Sequence, residues 1–123
     1  MLKAICTAAV LTFAVATPAL AAETMTLDEH YNVVGSNPDG SKYTGTVDVT
    51  VISSTTFTVV WHIGASASNG FGMRMGDTIS ATYMLGGNPG LVIYRQQGNG
   101  GFKGIWAIRG HNGSGTEVWT PMN

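Results

Sequence analysis

The chain has 123 residues, 17 of them glycine, only 11% charged, with a formal net charge of −1. The five Lys and Arg beyond residue 21 are scattered, so no basic surface for a phosphate backbone can form and nucleic acid is excluded as an expected partner. A single cysteine, Cys6, excludes a disulfide framework.

The first segment reads as a secretory signal. Lys3 supplies a positive start, Ala4 to Ala16 an apolar run, and Ala19-Leu20-Ala21 the small residues of a cleavage site after Ala21. The run is shorter than the roughly 20 residues that a bilayer span needs. Residues 1–21 are therefore expected to be removed, Cys6 with them, and residues 22–123 to fold as one domain. Cys6 precedes the apolar run instead of ending it, which does not fit a lipoprotein. The expected location is periplasmic or secreted.

Beyond the signal, apolar residues recur with period 2. In chain order the runs are Met25 to Val34, Lys42 to Ile52, Thr56 to Ile63, Phe71 to Met75, Thr78 to Leu85, Leu91 to Gln96, Phe102 to Arg109 and Thr116 to Thr120. Between them lie turn signals. Asn37-Pro38-Asp39-Gly40 is the strongest, with Pro at the second position and Gly at the left-handed one. Gly86-Gly87-Asn88-Pro89-Gly90 is another, and Asn69-Gly70, Asn99-Gly100 and Asn112-Gly113 are hairpin dipeptides. The pattern predicts an all-β fold: a single antiparallel meander of about eight strands, curled into an up-and-down barrel, with a β-sandwich as the alternative.

Two strands carry a glycine in mid-run. In Tyr43-Thr44-Gly45-Thr46-Val47 and in Phe102-Lys103-Gly104-Ile105-Trp106 an aromatic precedes the glycine by two residues and a large apolar residue follows it. A glycine there weakens a strand and needs a local reason. A ring from a neighbouring strand lying over it, or a sharp bend of the sheet, supplies one, and both help to close a barrel. Pro38, Asp39, Gly40, Tyr43, Gly45, Trp61, Phe102, Gly104 and Trp106 are thus expected to be structural.

The stretches "YNVVGSNPDGSKYTGTVDVT" (Tyr31 to Thr50) and "GIWAIRGHNGSGTEVWTP" (Gly104 to Pro121) resemble a family of small exported bacterial proteins. Its members carry an N-P-D-G-S-x-Y-x-G turn and strand and a closing G-x-W-A…G-x-G-T-E…T-P segment. The resemblance implies no catalytic residues and no cofactor. Some members are described as fibronectin-binding. The Met73–Met75 segment has no counterpart in that pattern.

Candidate chemistry is sparse. His30, His62 and His111 lack a second His or Cys at metal-ligand spacing, and no G-x-S-x-G elbow is present. Met73 and Met75 place two thioethers on one strand face, a soft pair suited to Cu(I), with His62 or His111 as a candidate third ligand approaching from a neighbouring strand; as adaptable core filler they have a plainer role. Neither a catalytic set nor a resident cofactor is expected. The phases of Tyr31, Tyr43, Phe57, Trp61, Met73, Met75, Tyr83, Phe102 and Trp106 point inward, which predicts a filled interior with at most a shallow cup at one end. Tyr94, Trp119 and Val92 fall in the opposite phase and are candidate ligand contacts on the outside. The expectation is a non-catalytic exported module that binds a protein, such as a host-matrix protein, or a surface polymer. The alternative is a small-ligand carrier of lipocalin or avidin style.

Overall fold

The computed structural model describes residues 27–122, so the expected signal segment lies outside the described residues. Eight strands follow in order: β1 (His30–Ser36), β2 (Lys42–Val51), β3 (Thr56–Ile63), β4 (Ser66–Met75), β5 (Thr78–Leu85), β6 (Asn88–Gln96), β7 (Phe102–Ile108) and β8 (Gly115–Pro121). Each pairs antiparallel with the next, and β8 pairs with β1, so the meander closes into a barrel. The barrel prediction holds and the sandwich does not. Closure leaves no free sheet edge.

Most strand limits match the period-2 runs, but β6 starts at Asn88 and takes in Asn88-Pro89-Gly90 of the expected turn, and β4 differs most. Its first half, Ser66 to Gly70, is polar and small, and Asn69-Gly70 lies inside the strand instead of forming a turn. The β3–β4 turn is at Gly64, which has φ +60°. The Asn37–Ser41 turn forms as expected: Gly40 N–H donates to Asn37 O at 2.9 Å, and Asp39 Oδ1 accepts from Ser41 N at 2.9 Å and from its hydroxyl at 2.6 Å.

Glycines inside the strands lie under aromatic rings. A Cβ on Gly35 would meet the Tyr43 ring, on Gly70 the Trp61 ring, on Gly72 the Phe57 ring, on Gly90 the Tyr83 ring and on Gly115 the Trp106 ring, each within 2.6 Å. In all but the Gly70 case the ring belongs to the residue directly opposite on the adjacent strand. At Gly45 and Gly104 the backbone is closest, with His62 O at 2.2 Å and Ile93 O at 2.1 Å from the built Cβ; the Tyr94 ring also covers Gly104. Both expected reasons for a mid-strand glycine are therefore present: ring cover and close approach in a tightly coiled sheet.

The core is aromatic at one end. Tyr31, Phe57, Phe102 and Trp119 are fully buried, and Leu27 packs against the same cluster. Trp119 meets Tyr31, Phe102 and Tyr94 at ring-centroid distances of 5.2, 5.8 and 4.5 Å, in tilted and edge-on arrangements that favour aromatic contact.

Candidate functional site

The other end of the barrel is hollow. A cavity of about 270 Å³ opens where the β1–β2, β3–β4, β5–β6 and β7–β8 turns gather. Its walls are Tyr43, Trp61, Tyr83 and Trp106, with Ile63, Leu85 and Ile108 near the mouth and Ser66 and Ser68 on the β4 side. These four aromatics are among the nine large side chains expected to fill the interior. They do not, because each lies against a glycine of the neighbouring strand and so rests on the wall. The polar first half of β4 contributes only hydroxyls and hydrogen where other strands carry bulk.

Glu117 sits in the cavity lining and is 5% exposed, the one charged residue in the core among the described residues. Its Oε1 accepts from the Tyr43 hydroxyl at 2.8 Å. Its Oε2 accepts from Trp61 Nε1 at 3.0 Å, from Trp119 Nε1 at 2.7 Å and from the Tyr94 hydroxyl. Indole N–H groups only donate, so this donor set matches a carboxylate acceptor. Tyr94 is buried, and burial first, then the Glu117 charge, pushes its phenol far above the ordinary tyrosine range. Tyr43 is raised in the same way, against a lowering influence of the Trp106 N–H that falls short of hydrogen-bond geometry. Trp106 Nε1 is buried and has no hydrogen-bond partner.

No protein-family model and no curated protein matches the chain. Solved structures do. A redesigned β-barrel superposes with a TM-score of 0.62 at 21% identity, covering 79% of this chain and 92% of the other. A mutant of the fluorescent protein UnaG gives 0.53 at 7% identity, over 79% and 96%. The protein EF1p2_mFAP2b, bound to DFHBI, gives 0.52 at 15% identity, over 76% and 90%. At these identities the likeness is one of fold.

The residues singled out in the sequence are redistributed by the barrel. Tyr94, Val92 and Trp119 are not an outer patch: they are 2%, 3% and 1% exposed. Tyr94 and Val92 line the cavity and Trp119 lies in the core. In β6 both phases are apolar, and the outer one is Leu91 and Ile93. In β8 the glutamate shares the phase of Trp119, and placing its charge in water turns the strand inside out.

Met73 and Met75 are likewise outside, 56% and 85% exposed, instead of in the core. Gly70 and Gly72 take the inner phase of β4. Met73 pairs with Thr56, while His62 pairs with Ala67 at the far end of the same ladder. His62 Nε2 is instead 2.9 Å from Asp48 Oδ2, and His30 Nδ1 is 2.7 Å from Asp48 Oδ1. The proposed Cu(I) set is not brought together. Glu117 and the serines of β4 are among the cavity residues that sequence reasoning missed.

Proposed function

We propose that the protein is a non-catalytic barrel that binds a small, planar, mostly apolar molecule in the open end. The observation that supports this is the wall of four rings resting on glycines: the space is preformed, and its faces suit stacking against a flat ligand. Its volume lies near the small end of the roughly 300–1,000 Å³ typical of ligand pockets. The structural neighbours include a fluorescent protein and a barrel bound to DFHBI, which is in keeping with this reading. The oxygens of Glu117 are already engaged by four donors, which fits a structural role for the carboxylate.

Naphthalene titrated calorimetrically tests it. Saturable one-to-one binding is expected in the protein and its loss in Ser68→Phe, which fills the cup without removing a hydrogen bond of the Glu117 network. Absence of saturable binding by the folded protein would count against the reading.

A second reading, a surface for a protein or polymer, keeps one observation in its favour. Leu91, Ile93, Ile105, Val118 and Val34 are exposed on adjacent strands β6, β7, β8 and β1, with Ile93 opposite Ile105 and Val34 opposite Val118. Capture on immobilised fibronectin that is lost in Ile93→Lys and Ile105→Lys would favour it.

A further inference from the structure

We propose that the Tyr83 hydroxyl decides which molecules the cup takes, and that the ligand is an uncharged flat ring system carrying a hydroxyl group that pairs with it. This rests on the reading of the cup as a binding site. Tyr43 and Tyr83 are placed alike. Tyr43 lies opposite Gly35 and Tyr83 opposite Gly90, and each rests the Cζ end of its ring on that glycine. What differs is the residue one strand further on. Gly35 pairs with Glu117, which accepts from the Tyr43 hydroxyl at 2.8 Å. Gly90 pairs with Ile108, whose side chain can neither donate nor accept.

The Tyr83 hydroxyl is thus left without a hydrogen-bond partner among the described residues. It is also open. The half-buried side chain lines the cavity, and the side-chain polar atom that is both sealed in and unpartnered is Trp106 Nε1, not the Tyr83 oxygen. Water reaches the hydroxyl only until a ligand covers this wall. A molecule that covers it with carbon alone leaves the hydroxyl dry and unpaired, which is unfavourable. A wall of this kind discriminates against analogues that lack the matching polar group.

Charge narrows the class. No Lys, Arg or His lines this cavity, and its one carboxylate is Glu117. A carboxylate or phosphate ligand would enter a low-dielectric cup beside a like charge with no counter-ion. Burial, with the Glu117 charge, pushes the Tyr83 phenol up to about 12, so at neutral pH it keeps its proton and both donates and accepts. A hydroxyl on the ligand does the same and can use both capacities, whereas a carbonyl uses one.

Three probes of one shape test this: naphthalene, 2-naphthol and 2-naphthoate. Each is titrated calorimetrically at neutral pH into the protein, into Tyr83→Phe, which keeps a ring over Gly90 and removes the hydroxyl, and into Ser68→Ala, which removes a hydroxyl from the β4 side of the wall. Tyr83→Phe is expected to weaken 2-naphthol about three- to tenfold, the range of one neutral hydrogen bond. Naphthalene should bind that variant at least as tightly as the unaltered protein, because no hydroxyl is then stranded, and a merely damaged wall would not give this opposite sign. Ser68→Ala should weaken 2-naphthol by less than about twofold, and 2-naphthoate should bind more weakly than 2-naphthol throughout. In the unaltered protein labelled with ¹³C at tyrosine Cζ, the Tyr83 resonance should shift more with 2-naphthol than with naphthalene, a readout that does not depend on a variant folding. Equal weakening of 2-naphthol and naphthalene by Tyr83→Phe, a Tyr83 resonance that does not distinguish them, a larger loss in Ser68→Ala, or a carboxylate that binds best would overturn the proposal while leaving the cup a binding site. Failure of all three probes to bind the unaltered protein would overturn both.

Discussion

The Trp106 ring rests on Gly115 of the adjacent strand, so closely that a Cβ there would lie 2.2 Å from Cε2 and 2.5 Å from the Ser36 carbonyl oxygen. A methyl group at this position has backbone on one side and the indole on the other, and the indole can yield only by leaning into the cup. Gly115→Ala is expected to lower stability by about 1–3 kcal/mol, the usual range for overpacking, and to weaken naphthalene binding at the same time. Urea unfolding and calorimetry measure the two effects. Unchanged stability together with unchanged binding would mean that the ring is not held by the glycine.

Gly45 and Gly104 face backbone instead of open space, the His62 and Ile93 carbonyl oxygens being 2.2 and 2.1 Å from a built Cβ. A carbonyl in a paired ladder cannot move aside without breaking the ladder. Gly45→Val and Gly104→Val should therefore cost about 3 kcal/mol or more each, at or above the top of the overpacking range. Alanine at either site should recover little of that loss, because the first carbon already collides. Chemical denaturation of the four variants would show it, and full recovery in the alanine pair would contradict the geometry.

Strand number, antiparallel order and closure were legible because alternation and turn residues agree along most of the chain. Facing was legible only where a strand has one apolar phase. β3 does, with Phe57, Val59 and Trp61 buried and His62 exposed. β6 is apolar on both faces and gives no preference. β8 hides a carboxylate in its inner phase, against the rule that a charge marks the outside, and what reverses the rule is a set of four donors contributed by three other strands and by Trp119. The cup was hidden for a related reason. Counting large side chains measures volume, but not whether each ring stands in the barrel or lies on a glycine one strand away.

Glu117 ties β8 to Tyr43 on β2, Trp61 on β3 and Tyr94 on β6. Glu117→Ala leaves four donors facing one another in the core. Two are indoles that cannot reverse their role, so the expected loss is about 3–5 kcal/mol. Glu117→Gln should cost distinctly less. Its carbonyl can take the Oε2 position with three donors, while its amide donates to the Tyr43 oxygen once that hydroxyl rotates. The ratio of the two losses, from urea unfolding, tests whether hydrogen-bond count or charge dominates; equal losses would assign the stabilisation to the charge.

On the outer wall, Asp48 is held below the ordinary carboxylate value of 3.8, first by its hydrogen bond to His30 and then by that to His62. A lowered folded value means that the contribution is present above the unfolded pKa and is lost as pH falls through the folded one. The window is thus below about pH 4. All three side chains are about half exposed, so screening limits the effect to a few tenths of a kcal/mol. Asp48→Asn should slightly flatten the acid limb of the melting-temperature profile and leave the neutral region nearly level. A change confined to neutral pH would place the contribution elsewhere.

All four tyrosines have raised phenols. Burial pushes Tyr31 and Tyr83 up to about 12, with the Glu117 charge adding to the rise of Tyr83; Tyr43 goes higher, and Tyr94 is also raised well above the ordinary range. A raised folded value gives stability that is complete below the unfolded pKa of about 10 and is lost as pH climbs through the folded values. The barrel should therefore destabilise progressively above about pH 10, and phenolate absorbance should rise together with loss of the β signal in circular dichroism. In a folded Glu117→Gln variant the charge is gone, so Tyr83 should ionise at lower pH, while Tyr31, whose rise owes nothing to Glu117, should not move. If phenolate appears at ordinary pH in the intact barrel, the rings at the cup are solvated and the dry, preformed wall proposed for ligand binding does not exist.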